Sequence, residues 1–157
     1  MRKRVYIETS IPSFYYETRT ASDMIARRDW TREWWNSLSQ YEAVTSDAVY
    51  YELQRGVYPG KDDALALLAD IPCLEITDAI EDVVTAYVQH HVMPANPLGD
   101  ALHLALASYH NCDYLATWNC RNIANPNKFT HVRIINTMLG LSVPELVTPY
   151  QLLEENP

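Results

Sequence analysis

The stretch GDALHLALASYHNCDYLATWN, residues 99–119, decides the fold. Its first half is apolar nearly all round, which predicts a buried helix that starts at Asn96-Pro97 and runs through Tyr109. Its second half contains the short apolar run Tyr114–Thr117, which predicts a strand ending just before Asn119. A buried helix that leads directly into a short apolar strand is typical of an α/β fold with a parallel sheet.

The same alternation of strands and helices extends through the rest of the chain. Short apolar runs predict further strands at Lys3–Ile7, Ala43–Thr45, Cys73–Ile76 and Leu146–Val147. Segments between them that have a capping residue or a helical period predict helices. The first helix is predicted to begin with Ser10 as its cap and Pro12 in its first turn. The others are predicted at Ser22–Ser39, Asp47–Arg55, Lys61–Asp70, Asp78–His91 and Asn127–Leu139. Since no repeat or linker interrupts this order, we expect one Rossmann-like domain over residues 1–157, its parallel sheet flanked by helices on both faces.

Composition excludes several classes of protein. A hydrophobic content of 48% is too high for a disordered chain, and no apolar run approaches the ~18 residues of a membrane span. Three cysteines without Cys-x-x-Cys spacing, at positions 73, 112 and 120, indicate free thiols rather than a zinc site or a disulfide framework. These features predict a cytoplasmic protein that does not enter a membrane.

The net charge of −8 is unevenly distributed. Residues 1–40 hold seven Lys/Arg against five Asp/Glu, whereas the remainder holds five against fifteen. Affinity for nucleic-acid phosphates comes largely from Lys and Arg, so the acidic part is a poor non-specific binder. It suits a metal site or a basic protein partner, and acidity that merely maintains solubility is an equally good explanation.

Four polar residues converge at one predicted edge of the sheet. Glu8 directly follows the first strand, Glu52 lies in the second turn of the helix after the second strand, and Asp100 opens the apolar helix. Asn119 lies just past the strand Tyr114–Thr117. In a parallel sheet, ligands bind outside the carboxyl ends of the strands, where the following helices also begin. All four side chains can therefore point into one crevice.

Three carboxylates in one crevice repel one another unless a cation neutralises them or one takes up a proton. Carboxylate oxygens with water suit Mg²⁺ or Mn²⁺ and can support phosphodiester hydrolysis. Each residue also has a structural explanation. Glu8 can hydrogen-bond the amide groups of the next helix, Glu52 can be a solvated helix residue, and Asp100 favours the helix dipole. For Asn119 taken alone, a turn is the better explanation. For Asp100 the functional interpretation is stronger, because an acid on an apolar helix needs a partner.

Other polar residues flank this crevice. His103 lies one turn from Asp100 on the same helical face, and a core or supporting role fits it better than that of a catalytic base. Arg27, Arg28 and Arg32 carry the basic charge of the first forty residues. Stacking of Arg on Trp within the fold is the plain interpretation, and contact with RNA phosphates is the functional one.

At these residues the sequence resembles the PIN-domain family, and within it the VapC-like toxin ribonucleases of toxin–antitoxin pairs. The resemblance spans essentially the whole chain in order, through Val5–Ser10, Ser46–Glu52, Gly99–Ala105, Asp113–Asn119 and Pro144–Leu153. The third and fourth motifs together are fairly specific.

The resemblance implies a Mg²⁺- or Mn²⁺-dependent ribonuclease that cuts single-stranded RNA, often as a homodimer, held inactive by an antitoxin protein. Matched by position, Glu8, Glu52 and Asp100 are the metal-binding acids, Asn119 occupies the last catalytic position, and Thr9 or Ser10 orients the site. Two positions depart from the family pattern. Glu8 replaces the usual Asp with a longer arm, and Asn119 replaces an Asp with a neutral amide, which removes one negative charge from the metal site.

Three competing hypotheses come from other classes. A PIN-like module that has lost catalysis and binds RNA or a protein partner is favoured by the neutral Asn119 and the acidic charge. A nucleotide enzyme on a Rossmann-like sheet is not supported, because the four glycines form neither a G-x-G-x-x-G sequence nor a P-loop. A Ser or Cys hydrolase lacks a nucleophile-elbow motif.

Overall fold

The computed structural model of the protein describes residues 1–95 and 99–155. Its five strands form one parallel sheet in the order β3-β2-β1-β4-β5. The strands are β1 (Lys3–Ile7), β2 (Tyr41–Ser46), β3 (Cys73–Leu74), β4 (Tyr114–Ala116) and β5 (Glu145–Val147). The central strand β1 pairs with β2 on one side and β4 on the other. The predicted parallel sheet is therefore confirmed.

Helices connect successive strands. They are α1 (Ser10–Tyr15), α2 (Ser22–Trp35), α3 (Asp47–Gln54), α4 (Lys61–Leu67), α5 (Asp78–Gln89), α6 (Gly99–Tyr109), α7 (Pro126–Met138) and α8 (Pro149–Glu155), with a 3₁₀ turn at Leu38–Gln40. Within residues 1–95 and 99–155, no helix is both long enough and apolar enough to cross a bilayer.

Helices cover both faces of the sheet, as the sequence predicts. Side chains alternate between the two faces of a strand, so Tyr6 on β1 and Val44, its partner on β2, point the same way. On that face, the Tyr6 hydroxyl lies 2.7 Å from Nδ1 of His103 on α6. Tyr41 belongs to the alternate set, and its ring packs against Trp34 of α2 with centroids 5.7 Å apart.

Helix α6 is the most buried helix and positions much of the site. Eight of its eleven residues are buried, because it lies between the sheet on one side and α5 on the other. The apolar residues Ala101, Leu104 and Leu106 are fully buried in this layer. The N-terminal turn of α6 therefore holds Asp100 rigidly at the carboxyl edge of the sheet.

Several predicted boundaries are wrong. Helix α4 ends at Leu67 rather than Asp70, α5 at Gln89 rather than His91, and β3 at Leu74 rather than Ile76. The second helix ends at Trp35 rather than Ser39, because the hydroxyl of Ser37 donates to the Trp34 carbonyl at 2.7 Å and the chain tightens into the 3₁₀ turn. Ser10 does not cap the first helix: the capping position is Thr9, which makes no side-chain cap bond, and Ser10 is already helical. Its hydroxyl is recruited by Glu8 instead. The predicted start at Asn96-Pro97 lies outside the described residues.

Candidate active site

Glu8 links the central strand β1 to its neighbour β4 at their carboxyl ends. Its backbone N–H donates to the Ala116 carbonyl at 3.2 Å, which continues the pairing of β1 with β4. Its side chain is buried, and Oε2 accepts hydrogen bonds from the Thr117 hydroxyl at 2.7 Å, from the Ser10 N–H at 3.0 Å and from the Ser10 hydroxyl. All of these bonds fall on Oε2. The orientation of the carboxylate is therefore fixed, and Oε1 remains for a ligand.

Asp100 is held by two amide side chains. Nδ2 of Asn119 donates to Oδ1 at 2.9 Å, and Nδ2 of Asn122 donates to Oδ2 at 2.9 Å. The Asn122 N–H in turn donates to Oδ1 of Asn119 at 3.0 Å. Asn119 thus faces Asp100 with its nitrogen, while its oxygen is engaged within the turn. The partner that an acid on an apolar helix requires is this pair of asparagines.

A hydrogen-bonded path connects Asp100 to Glu8. The backbone N–H of Asn119 donates to the Thr117 hydroxyl oxygen at 2.9 Å, and the same hydroxyl donates to Glu8. The turn after β4 therefore ties the acid at the end of β1 to the acid at the start of α6.

Glu52 reaches the same region from α3. Its Oε1 accepts a hydrogen bond from the Thr9 hydroxyl at 3.0 Å and is bonded to Nε2 of His103. Its Oε2 would lie 3.3 Å from a Cβ added to Gly99, so the carboxylate rests against the first residue of α6, beside Asp100. The neighbouring residues Thr9 and Ser10 therefore each hold a different acid of the site.

His103 is fully buried at the centre of this cluster. Its Nδ1 lies 2.7 Å from the Tyr6 hydroxyl, which lies 2.7 Å from the Ser46 hydroxyl. Burial lowers the pKa of His103, but its hydrogen bond to Glu52 and the charges of Glu8, Glu52 and Asp100 outweigh this effect and raise that pKa above its usual value. All three predicted acids therefore act on one imidazole.

The same pair determines the ionisation of Glu52. Burial raises the pKa of Glu52, but hydrogen bonds from His103 and Thr9, together with the charge of His103, bring it below its usual value. Glu52 is therefore held as a carboxylate by a buried partner.

The donor set has the chemistry of a magnesium or manganese site. Among the residues that the structure describes, no three His, Cys, Asp or Glu side chains form a cluster ready to hold a metal. Mg²⁺, however, is usually bound through one or two carboxylates and completes its octahedron with waters and substrate phosphates. Carboxylate oxygens of Glu8, Glu52 and Asp100, with no thiolate beside them, fit such an ion by donor type.

The three arginines predicted to contact RNA all have partners within the fold. The Arg27 guanidinium lies over the rings of Trp118 and Phe14, 5.4 and 5.6 Å from their centroids. Arg28 pairs with Asp29 at 3.0 Å. Arg32 donates to the Tyr15 carbonyl at 2.8 Å. These contacts explain the three residues structurally, and RNA contact by them stays a prediction.

Sequence reasoning missed several residues that shape the site. Asn122 was not singled out, although an asparagine three residues after Asn119 in a polar turn is a signal for a side-chain-stabilised turn. Thr117 was assigned to the strand, which ends one residue earlier at Ala116. Tyr6 gave no signal, because an apolar strand context predicts only burial for it.

The fold and the site together define an α/β protein with a buried, oxygen-rich acidic site outside the carboxyl edge of a parallel sheet. The chain matches the family model of the PIN domain over residues 5–121, and it belongs to the PIN-domain family. That span includes every residue that we predicted for the acidic site.

Comparison with solved structures supports the same fold. A toxin–antitoxin complex from Klebsiella pneumoniae contains a chain that is similar at a TM-score of 0.55 and 20% sequence identity, with coverage of 79% of this chain and 93% of the other. At this identity the likeness shows the fold alone. A sequence comparison with curated proteins gave no significant match.

Proposed function

We propose that the protein is a Mg²⁺- or Mn²⁺-dependent endoribonuclease, VapC-like, that acts as the toxin of a type II toxin–antitoxin pair. PIN domains are generally nucleases, and this chain belongs to that family. The observation that carries the proposal is that hydrogen bonds hold three carboxylates at one edge of the sheet. Thr117 bonds Glu8, Asn119 bonds Asp100 and the buried His103 bonds Glu52.

In the proposed mechanism, Glu8 and Asp100 would hold the metal ion, and Glu52 would help to bind it or position the attacking water. The ion, when bound, activates that water and stabilises charge on a phosphoryl oxygen. Ser10 and Thr117 orient Glu8, and Thr9 with His103 orients Glu52. Asn119 and Asn122 orient Asp100.

We further propose that residues 1–157 form one domain, that the protein works in the cytoplasm, and that it forms a homodimer. The similar chain from Klebsiella pneumoniae belongs to a toxin–antitoxin complex. We propose an antitoxin partner for this protein too, and a basic antitoxin suits its acidic charge.

The test is cleavage of single-stranded and structured RNA by the purified protein, freed of any bound partner. We expect cleavage with Mg²⁺ or Mn²⁺, none with EDTA, and loss of cleavage in Asp100→Asn. Asp82→Asn, at an exposed position on α5, removes the same charge and should keep cleavage. Absence of cleavage by the folded protein with either ion would refute the nuclease proposal.

One observation favours a second candidate, a PIN-like module that binds RNA or a protein without cutting. Both oxygens of Asp100 are already satisfied by protein amides, an arrangement that does not need a cation. For such a module, titration with Mn²⁺ would give no saturable binding, and Asp100→Ala would leave binding to its partner intact.

A further inference from the structure

A cavity opens directly beside two residues of the acidic site. It has a volume of about 410 Å³ and lies between the end of α1 and the loop after α3, with Thr9 and Glu52 at one end. This volume is within the range of about 300–1,000 Å³ that is usual for small-ligand sites. Its remaining wall is formed mainly by Tyr16, Glu17, Thr18, Arg19, Tyr58 and Pro59. We call this cavity the Tyr16 pocket.

The pocket is held open by contacts of its own walls. The Tyr58 hydroxyl donates to the Leu53 carbonyl, which fixes the phenol against α3. A Cβ on Gly60 would lie 2.9 Å from Cβ of Tyr16, so only glycine lets the loop approach this closely. Gly60 also has a φ of +82°, which disfavours other residues. These contacts fix the positions of Tyr16 and Tyr58 in the wall of the pocket.

The charges of the pocket indicate what it can accept. Glu17 is bonded twice by Arg19, from Nε at 2.7 Å and Nη2 at 2.8 Å, and these bonds lower the pKa of Glu17 to about 2 despite its partial burial. With Glu52 at the other end, the pocket presents carboxylate oxygens, which accept hydrogen bonds from amino groups. The Arg19–Glu17 bonds use Nε and Nη2, so Nη1 of the exposed Arg19 can still donate at the rim.

We propose that the Tyr16 pocket binds one unpaired nucleobase of the RNA substrate, next to the phosphate that reacts beside Glu52. Aromatic side chains are the usual stacking platforms for unpaired bases. The carboxylates favour bases with an exocyclic amine over uracil, which has none, while Nη1 of Arg19 contacts the phosphate of the same nucleotide. This inference rests on the proposed ribonuclease function and adds a specificity-determining subsite to it.

The first test removes or keeps the ring of Tyr16. The RNA probes are fluorescein-labelled pentamers that differ only in the central base, and their binding is measured by anisotropy with Mg²⁺. All variants carry Asp100→Asn as well, so that the RNA is not cleaved during the measurement. Tyr16→Leu should weaken binding about 10-fold or more, in line with the loss of one stacked base. Tyr16→Phe, which keeps the ring, should bind normally. Since Tyr16 packs against the core, the Tm of Tyr16→Leu is measured as well, and a Tm close to that of the wild type shows that the loss is not a folding defect.

The second test blocks the pocket without touching a buried contact. Thr18 and Thr20 are both exposed and two residues apart, but only Thr18 lines the cavity. Thr18→Glu should weaken RNA binding, because the longer side chain occupies the pocket. Thr20→Glu adds the same charge nearby and should weaken RNA binding less. Equal effects of the two substitutions would refute the subsite.

The outcomes separate this inference from the function on which it rests. If the wild-type protein cleaves RNA while Tyr16→Leu and Thr18→Glu bind and discriminate as their controls do, the nuclease stands and the pocket is wrong. If the wild type does not cleave but pentamer binding depends on Tyr16 and Thr18, the catalytic proposal fails and the base pocket stands. Loss of binding to a protein partner alone, with RNA binding unchanged, would overturn the nucleobase assignment.

Discussion

His103 orients the carboxylate of Glu52 through a hydrogen bond from Nε2. The His103 side chain has no exposed surface. The opposite nitrogen of the ring is held by Tyr6, which is also fully buried. A carboxylate on the short helix α3 thus takes its orientation from the central strand of the sheet. The orientation of an acid in the site therefore depends on side chains that are buried in the core.

This coupling predicts a measurable interaction between Tyr6 and His103. Tyr6→Phe or His103→Leu leaves a buried polar group without its partner, so each should lower the free energy of unfolding by about 1–3 kcal/mol. In a double-mutant cycle we expect a coupling free energy of about 0.5–3 kcal/mol, measured by urea denaturation. His131→Leu, at an exposed position on α7, should leave stability nearly unchanged. Strict additivity of the two buried substitutions would contradict the network.

Asn119→Asp tests what the neutral residue contributes. The substitution replaces a donor 2.9 Å from Asp100 with a second carboxylate, so we expect a lower Tm in EDTA because like charges repel. A divalent cation relieves that repulsion, so Mn²⁺ should raise the Tm of the variant by more than it raises that of the wild type. The comparison is made by calorimetry with Asn127→Asp as the charge control. A Tm that does not respond to Mn²⁺ in either protein would count against a metal at Asp100.

Asn122 should matter for the proposed activity although it is not one of the predicted acids. Its side chain holds Oδ2 of Asp100, and its N–H holds Asn119. Groups that orient metal ligands typically contribute about 10–100-fold to metal affinity or activity, so we expect a loss in that range for Asn122→Ala. Mn²⁺ affinity from calorimetric titration and the rate of RNA cleavage should fall together. Asn127→Ala should change neither, and full activity of Asn122→Ala would show that Asn119 alone suffices.

The Glu17–Arg19 pair predicts a pH dependence of stability. The pKa of Glu17 is about 2 in the folded protein, below its ordinary 4.5, so its contribution is complete above about pH 4.5 and is lost as the pH falls through about 2. The stability difference between wild type and Glu17→Gln should therefore shrink between these values, because a protonated Glu resembles Gln. Since the Arg19 side chain is 63% exposed, we expect about 1 kcal/mol or less.

Urea denaturation at several pH values measures this difference. Arg19→Gln should reduce the same pH dependence, because it removes the partner that holds Glu17 ionised. A difference between wild type and Glu17→Gln that stays constant down to pH 2 would contradict the pair.

The sequence was sufficient to predict the sheet, because each strand is an apolar run that leads into a helix. The positions of Glu8 and Asp100 followed from one rule, that parallel strands and the helices after them meet at the carboxyl edge. The prediction that Ser10 caps the first helix was wrong because the Ser10 hydroxyl donates to the carboxylate of Glu8 instead of accepting from the helix backbone. The acid of the site thus determines what this hydroxyl bonds.

Other parts of the site were beyond sequence reasoning. The contact of Glu52 with His103 joins residues 51 positions apart and depends on how α3 packs against α6. The Tyr16 pocket depends on the close approach of Gly60 to Tyr16, which no local pattern specifies. Periodicity identifies which face of an element is buried, but not which polar groups from distant elements will meet.

The bond between Thr117 and Glu8 spans 109 positions of the chain. Synthesis on the ribosome therefore produces the first acid long before it produces the hydroxyl that orients it, and the amides that hold Asp100 come later still. A nascent chain that has emerged only as far as residue 121 lacks the hydrogen bonds that orient Glu8 and Asp100 in full, even if its helices have already formed. The order of translation thus delays assembly of the site until most of the polypeptide has left the ribosome.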